Sequence, residues 1–242
     1  SKIRSALVHY VDPAWAPEGW SRLAALAEEQ LRAAAPGSDL QLAWARTLAA
    51  ATRAPAHVAL VRGLLDGTEI VPGLAVDTDL RWTLLSALVA VGAAGDDAIE
   101  AELDRDATAA GQRRAATARA LRPTAAAKAE AWRLATEDDE LPNAMNEAVV
   151  GGFFHPAQTE LTEPYVQPYF AVIPDVWERR TSELAQNVVV GLFPDSASTD
   201  VVDRAEAFLA DAANPPALRR LVAEGRDDTV RSLRGRARDA AG

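Results

Sequence analysis

Apolar residues recur three and four positions apart along almost the whole chain, and alternating apolar–polar runs are nearly absent. This spacing gathers apolar side chains on one face of an α-helix, whereas a half-buried strand needs a period of two. Clear stripes run through residues 20–31, 40–51, 177–188 and 201–209. The sequence therefore predicts an all-α fold.

The predicted helices begin about 15 to 20 residues apart, so a helix pair occupies about 35 to 40 residues. That period is typical of solenoids built from stacked antiparallel helix pairs. We expect residues 1–242 to form one HEAT- or armadillo-like solenoid domain, with a possible break at a loop over residues 68–76. The helix after this loop is apolar on two faces, which predicts a central buried helix.

Short motifs indicate where individual helices begin and end. Ser38 with Gln41, and Asp97 with Glu100, have the spacing of a capping box, in which the first side chain accepts a backbone N–H bond from the first turn. Pro123, Pro142 and Pro216 fall where a first-turn proline is tolerated. Further boundary signals are Asp77 or Thr78 as a cap, and Gly92, Gly95, Gly151 and Gly152 as helix ends.

Composition narrows the class of protein. Hydrophobic residues make up 49% of the chain and charged residues 25%, which is typical of a globular protein. The net charge of −10 argues against nucleic-acid binding, because an acidic surface repels phosphate. The absence of cysteine excludes disulfides and thiolate catalysis, and it favours a reducing, cytoplasmic location.

The start of the chain resembles neither a targeting signal nor a membrane anchor. It lacks the basic, apolar and small-residue order of a signal peptide, and no apolar stretch reaches the roughly 18 residues that span a bilayer. Ile3, Leu7 and Tyr10 already follow helical spacing. We therefore expect no membrane partner and a chain that begins inside a helix, as a fragment would.

No catalytic or metal-binding motif stands out. His9, His57 and His155 are far apart, whereas a helical zinc site needs two histidines at i and i+4. The chain has no Gly-x-Ser-x-Gly elbow and no glycine-rich phosphate loop. The sequence predicts no catalytic residue and no metal ligand, although a triad assembled from distant residues stays open.

Two charged segments have two interpretations each. The acidic run Glu137–Glu140 fits a magnesium site or a solvated loop before a proline. The arginine-rich stretch 226–238 fits a membrane-binding amphipathic helix or a solvated terminal helix, since aspartates dilute its charge. We favour the solvated interpretation of both.

The segment 141–194 is the richest in aromatic and amide side chains. Tyr165 and Tyr169 lie four residues apart, and Trp177 and Arg180 lie three apart, so each pair shares a helix face. Such side chains suit either a peptide-binding wall or a core in which Tyr and Trp find polar partners. Both interpretations stay open on the residues alone.

An ordered set of short strings runs through this segment: Leu141–Ala144, Gly152–Gln158, Pro164-Tyr165, Tyr169-Phe170, Trp177–Arg180, Ala185-Gln186 and Gly191–Pro194. Further strings outside it are Tyr10–Trp15, Asp77–Trp82 and Pro216–Leu221. In this order and spacing they resemble the C-terminal helical domain of actinobacterial aminopeptidase N, a zinc metallopeptidase of family M1. The resemblance covers nearly the whole chain, and it implies the curved bowl of stacked helix pairs that this domain type forms in the endoplasmic-reticulum aminopeptidases.

The resemblance implies a non-catalytic domain that covers an upstream catalytic domain, encloses its active-site chamber and contacts peptide substrates. The parent enzyme would hold zinc with His-Glu-x-x-His and a more distant Glu, and would bind the substrate amine with Gly-x-Met-Glu-Asn. None of these motifs is in this chain, so we predict no cofactor here and zinc in the parent. The string Asn143–Glu147 has a different order from the amine-binding motif, and we assign it no role.

We predict that six side chains face the substrate, and that Arg81 or Arg180 attracts a peptide carboxylate. The six residues are Arg81, Phe153, Gln158, Tyr169, Arg180 and Gln186. A free-standing α-solenoid scaffold that binds another protein is the alternative, and an independent enzyme is a third, weaker one.

Overall fold

A computed structural model describes residues 2–194 and 196–241, and in these ranges every regular element is a helix. The predicted all-α class is therefore confirmed. The chain divides into two compact units: the inserted unit, Ala14–Pro123, and the split unit, which combines Ser1–Pro13 with Thr124–Gly242. That residues 1–242 form one domain stays a prediction.

The inserted unit contains six helices, and α5 lies at its centre. They are α2 (Ala16–Ala33), α3 (Asp39–Ala51), α4 (Pro55–Asp66), α5 (Thr78–Ala90), α6 (Asp96–Arg105) and α7 (Ala109–Leu121). Helix α5 packs against α3, α4, α6 and α7, and Trp82, Leu85 and Val89 on it are buried together with Ile99. The central buried helix predicted from its two apolar faces is thus confirmed.

The split unit contains the first helix and the last seven. They are α1 (Lys2–His9), α8 (Ala125–Thr136), α9 (Asn143–Gly151), α10 (Thr159–Thr162) with a 3-10 turn (Glu163–Tyr165), α11 (Val166–Arg179), α12 (Ser182–Gly191), α13 (Thr199–Ala210) and α14 (Pro216–Ala240). Consecutive helices pack as pairs, α8 with α9, α11 with α12, and α13 with α14. Helix α1 packs against α14, where Arg236 donates a hydrogen bond to the carbonyl of Val8 at 2.8 Å.

Most predicted helix boundaries are correct. Ser38 accepts a hydrogen bond from the N–H of Gln41 at 3.2 Å, and Asp77 accepts one from the N–H of Leu80 at 2.9 Å. Helix α6 differs, because its N-cap is Gly95, so the prediction that Asp97 caps it is wrong. Asp96 and Asp97 instead occupy its first turn, where carboxylates interact favourably with the helix dipole.

The predicted loop at residues 68–76 connects α4 and α5. It is entered through Gly67, whose φ of 82° is left-handed, and Gly73 has a φ of 83°. A Cβ on Gly73 would lie 2.5 Å from the side chain of Pro36, so this glycine permits a close approach to the preceding helix connection. The loop is further tied by Gln41, which donates to the carbonyl of Pro72 at 3.0 Å.

Candidate functional site

The six residues predicted to face a substrate lie in both units. Arg81 belongs to the inserted unit and the other five belong to the split unit. Phe153, Gln158, Tyr169 and Arg180 are buried, Arg81 is half-buried and Gln186 is exposed. Their contact with a peptide stays a prediction, and their surroundings show what each side chain already does within the chain.

Arg81 is already paired with a carboxylate. Its guanidinium donates to the two oxygens of Glu102 at 2.8 and 2.6 Å, and to the carbonyl of Leu65 at 2.9 Å. Hydrogen bonding to Glu102 raises the pKa of Arg81. Arg81 also borders an open apolar cleft of about 230 Å³, with Val71 and Leu74 in its wall. A peptide carboxylate in this cleft would therefore compete with Glu102.

Phe153 is the centre of an aromatic cluster in the split unit, which we define as Trp132, Phe153, Phe154 and Tyr165. Its ring centroid lies 5.2 Å from that of Tyr165 and 5.0 Å from that of Phe154, both edge to face, and 5.9 Å from that of Trp132. Phe153 is buried, whereas the other three rings are half-buried. Half-buried Trp, Tyr and Phe are the side chains most often used as anchors at interfaces.

Lys128 on α8 adjoins this cluster and was not found from the sequence. It has no exposed surface, and its Nζ donates to the carbonyl of Phe153 at 2.6 Å. Burial lowers the pKa of this amine from 10.5 to about 8. The one sequence signal is that Lys128 is adjacent to the apolar stripe of α8 and four residues before Trp132, but a lysine between alanines is normally solvated.

Arg180, predicted to attract a peptide carboxylate, makes hydrogen bonds at the end of α8. Its guanidinium donates to the carbonyls of Ala135 at 2.6 Å and Asp138 at 3.1 Å, and to the carboxylate of Asp139 at 3.0 Å. Hydrogen bonds from Arg179, and next from Arg180, lower the pKa of Asp139. Arg179 and Arg180 therefore anchor Asp139, while Glu137, Asp139 and Glu140 are exposed, in line with the solvated loop favoured from the sequence.

Two amides extend this network across three helices. Asn146 on α9 donates to the carbonyl of Ala135 at 3.1 Å and accepts a hydrogen bond from Asn187 on α12 at 2.7 Å. Asn146 has no exposed surface, so its hydrogen bonds replace those that water would otherwise make. The carbonyl of Ala135 thus serves as the common acceptor for a guanidinium and an amide.

Tyr169 lies in the core of the split unit. Its hydroxyl donates to the carbonyl of Val189 at 2.6 Å, and burial raises the pKa of the phenol. Its ring packs edge to face on Phe170 and Phe193, with centroids 5.0 and 5.5 Å away. With no exposed surface on Tyr169, a substrate would reach this ring only after neighbouring side chains moved.

The two glutamines differ in accessibility. Gln158 is buried just before α10, where its N–H donates to the carbonyl of His155 at 2.8 Å. Gln186 is exposed on α12. Of the six predicted residues, Gln186 is therefore the one whose side chain is fully available to a second molecule.

The described residues do not assemble a metal site. Over residues 2–194 and 196–241, no three His, Cys, Asp or Glu side chains are grouped closely enough to hold an ion. In the same ranges, none of the helices combines the length and the apolar character needed to cross a membrane. Within the split unit, the described side chains offer half-buried aromatic rings, the exposed amide of Gln186 and several buried donors.

Residues 1–231 match the model of one protein family, the ERAP1-like C-terminal domain. The chain belongs to this family. It is also 49% identical over 241 residues to aminopeptidase N of Streptomyces lividans, an alignment that covers 99% of the chain. The resemblance predicted from the ordered strings of residues 141–194 is therefore confirmed.

This ERAP1-like C-terminal domain spans 28% of the length of that Streptomyces relative. The match therefore concerns one part of a much longer protein. The family follows from the match over residues 1–231, and the similarity to the Streptomyces protein concerns the part of it that this chain spans.

Proposed function

We propose that this chain is a non-catalytic domain of a zinc aminopeptidase, which encloses the active-site chamber of the whole protein and contacts the peptide substrate. The observation that carries this proposal is the 49% identity to an aminopeptidase N, of which the chain spans 28%. The family match over residues 1–231 points the same way. The proposed partners are the catalytic domain of the same protein and its peptide substrates.

Zinc belongs to the catalytic domain in this proposal. The residues described here do not fit the ion, since they bring no three suitable ligands together and the three histidines lie on separate segments. No step of peptide hydrolysis is therefore assigned to this chain. Its contribution is to bind and to shape the space in which hydrolysis occurs.

The aromatic cluster and Gln186 are the proposed peptide contacts of the split unit. Half-buried rings bind apolar side chains and lose little conformational freedom on binding, because each has only two rotatable bonds. In the inserted unit, the cleft beside Arg81 has a volume of about 230 Å³. It is smaller than the roughly 300 Å³ at which drug-sized pockets begin, so it suits a single side chain.

We further propose that the protein is cytoplasmic, has no membrane partner and does not bind nucleic acid. A chain without cysteine is compatible with a reducing compartment, and a net charge of −10 repels phosphate backbones. Peptides, in contrast, carry apolar side chains that can pack on the half-buried rings of the aromatic cluster.

The proposal is tested by removing this domain from the whole aminopeptidase and comparing substrates of different length. We expect kcat/KM for peptides of about eight residues to fall by tenfold or more, and kcat/KM for a single-residue arylamide to change much less, because only the longer substrates reach a chamber wall. An equal change for all substrates would show that the domain does not contact peptide.

A point variant separates contact from loss of fold. We expect F154A in the whole enzyme to raise KM for the longer peptide about threefold to tenfold. The matched control is V190A, since Val190 is an apolar residue of the split unit that is 59% exposed and lies outside the aromatic cluster. Equal kinetics for the two variants would favour the alternative, a scaffold domain that binds another protein.

A further inference from the structure

Lysine is rare in this chain, and one of its lysines is placed where a charge is costly. Lys2 and Lys128 are the two lysines among 25 basic residues, and the others are arginines. Lys2 is exposed at the start of α1, whereas Lys128 has no exposed surface. Because lysine is almost never fully buried without partners, the surroundings of Lys128 show what it does.

The amine of Lys128 meets the end of helix α9. Its Nζ lies 2.6 Å from the carbonyl oxygen of Phe153 and 3.5 Å from that of Gly152, the C-cap residue of α9. The last carbonyls of a helix have no partner within the helix and carry the negative end of its dipole. A buried donor at this position therefore satisfies groups that water cannot reach.

The two residues that supply these carbonyls, Gly152 and Phe153, begin the segment that carries Phe153 and Phe154 of the aromatic cluster. Phe153 follows Gly152 directly, its ring centroid lies 5.7 Å from the Lys128 amine, and Phe154 is the next residue. Trp132 completes the arrangement, one helical turn after Lys128 on the same face of α8. The amine thus contacts both the backbone and the central ring of the cluster.

We propose that Lys128 is a positioning residue, whose buried amine fixes the turn after α9 and thereby holds Phe153 and Phe154 in the geometry of the aromatic cluster. The functional part of this inference rests on the proposed role of the cluster in peptide contact. The structural part concerns the chain alone.

A lysine suits this position better than an arginine. A guanidinium keeps its charge at any accessible pH, whereas an amine can lose its proton when burial disfavours the charge. Burial lowers the pKa of Lys128 to about 8. A neutral amine still has two N–H donors, one for each of the two carbonyls, so the turn is held in both protonation states.

The charged groups on neighbouring elements do not account for this placement. On α8, Glu130 is exposed and pairs with Arg133. On α9 and α10, which pack against α8, Glu147 and Glu160 are exposed. Titratable groups of the adjoining segments are His155, which is half-buried, Glu163, which is exposed, and Tyr165, whose pKa burial raises. Burial is the cause of the lowered pKa of Lys128.

The structural part is tested by amide hydrogen exchange in K128M, with K2M as the matched control. The amides of Gly152 and Phe153 donate to the carbonyls of Val149 and Val150, so their exchange reports on the turn. We expect K128M to speed exchange of these two amides about tenfold, while the amide of Leu192 at the end of α12 keeps its rate. Equal rates in K128M and K2M would overturn the proposal.

The wild-type chain offers a second test that needs no variant to fold. Labelling with ¹³C-lysine gives two side-chain signals, of which Lys2 is the exposed reference. We expect the Lys128 signal to show a nuclear Overhauser effect to the Phe153 ring and a titration midpoint near 8. A Lys128 signal without that effect, and with the shifts of a solvated side chain, would overturn the proposal.

The functional part is tested in the whole enzyme. We expect K128M to raise KM for longer peptides about threefold with little change in their kcat, and K2M to change neither. Faster exchange without a change in KM would retain the positioning of the turn and refute peptide contact by the cluster. Unchanged exchange would refute the positioning itself, whatever the kinetics.

Discussion

The buried charged side chains described in the two units have opposite charge. In the inserted unit the buried charged side chains are the carboxylates of Glu102 and Asp106. Among the described residues of the split unit they are the cations of Lys128 and Arg180. The carboxylates accept hydrogen bonds from side chains, whereas the cations donate largely to backbone carbonyls at helix ends.

This difference follows from what each unit has to satisfy. Helix α8 and helix α9 end inside the split unit, and their last carbonyls need donors that water cannot supply. In the inserted unit, Arg81 and Trp82 on the central helix donate hydrogen bonds, and the buried carboxylates of Glu102 and Asp106 accept them. The two units should therefore respond differently to mutation and to pH.

Removing Arg81 is expected to have the largest effect. In R81M the carboxylate of Glu102, whose side chain is 5% exposed, loses its partner and stays buried. Breaking one side of such a pair costs about 3 to 5 kcal/mol of unfolding free energy. Urea unfolding of the full chain, followed by hydrogen exchange in α5, measures the loss and assigns it to the inserted unit.

The double variant R81M/E102M is the control for R81M. Replacing both members of a buried pair by apolar side chains of similar length is often neutral. We therefore expect the double variant to recover most of the lost stability. If it is as unstable as R81M, the unpaired carboxylate is not the cause, and the carbonyl of Leu65, which also accepts from Arg81, becomes the explanation.

The pH dependence of Lys128 is expected to be the next largest effect. Its folded pKa of about 8 lies below the unfolded value of 10.5. Between these values the unfolded chain binds a proton that the folded chain does not, so stability rises with pH through this window. The full difference corresponds to about 3 kcal/mol.

Comparing the wild type with K128M separates the effect of Lys128 on the pH dependence of stability from the effects of other titrating groups. Burial raises the pKa of Tyr169, so the unfolded phenol loses its proton first and stability falls at higher pH in both proteins. The stability of the wild type relative to K128M should therefore increase from pH 8 to pH 10. A constant difference between the two would show that Lys128 keeps its proton in the folded chain.

The sequence predicted the fold class, most helix boundaries and the central helix, because apolar periodicity and capping residues are local signals. Ser38 and Asp77 cap their helices as expected. Asp97 does not, because Gly95 and Asp96 precede it and the helix begins two residues earlier than the capping-box spacing indicates. A two-residue motif therefore does not decide which of several neighbouring residues caps the helix when their local sequences suit a cap equally well.

The candidate site was less predictable. Aromatic and amide side chains between residues 141 and 194 favoured this segment as a peptide wall, which stays a prediction, but helical spacing does not say which side faces the core. Tyr169 is buried and Gln186 is exposed, although both suited a peptide wall equally well. Lys128 was missed because a lone lysine between alanines is normally solvated, and its partners are carbonyls that no residue pattern encodes.

Alanine substitutions of two helix glycines, one in each unit, are expected to change the free energy of unfolding by an intermediate amount. In the inserted unit, a Cβ on Gly111 would lie 1.9 Å from the backbone oxygen of Asp106. In the split unit, a Cβ on Gly225 would lie 2.5 Å from the ring of Phe193, which can rotate away. Overpacking costs about 1 to 3 kcal/mol, and we expect G111A near the upper end and G225A near the lower end.

G151A is the matched control for both glycine variants. Gly151 is helical and a Cβ there would meet no atom within 4 Å, so alanine should raise stability by about 0.5 kcal/mol. Thermal unfolding of the three variants ranks them directly. A G225A loss equal to that of G111A would mean that Phe193 is held as rigidly as the backbone.

The smallest expected difference concerns two helix-capping threonines. Thr124 in the split unit accepts a hydrogen bond from the N–H of Ala127 at 3.2 Å, and T124A should cost about 1 kcal/mol. Thr108 in the inserted unit caps α7 in the same way, and its hydroxyl also donates to Asp106 at 2.7 Å. T108A should therefore cost more than T124A at neutral pH.

Acid separates the two roles of Thr108. The hydrogen bond from Thr108, followed by those from Trp82 and Arg114, lowers the pKa of Asp106. The stability that this carboxylate contributes is present above its unfolded pKa and is lost as pH falls through the folded value. The excess cost of T108A over T124A should therefore shrink as pH falls below about 4, leaving two equal caps. If the excess cost of T108A persists in acid, it comes from the cap itself. The buried carboxylate of Asp106 would then not be what distinguishes the inserted unit.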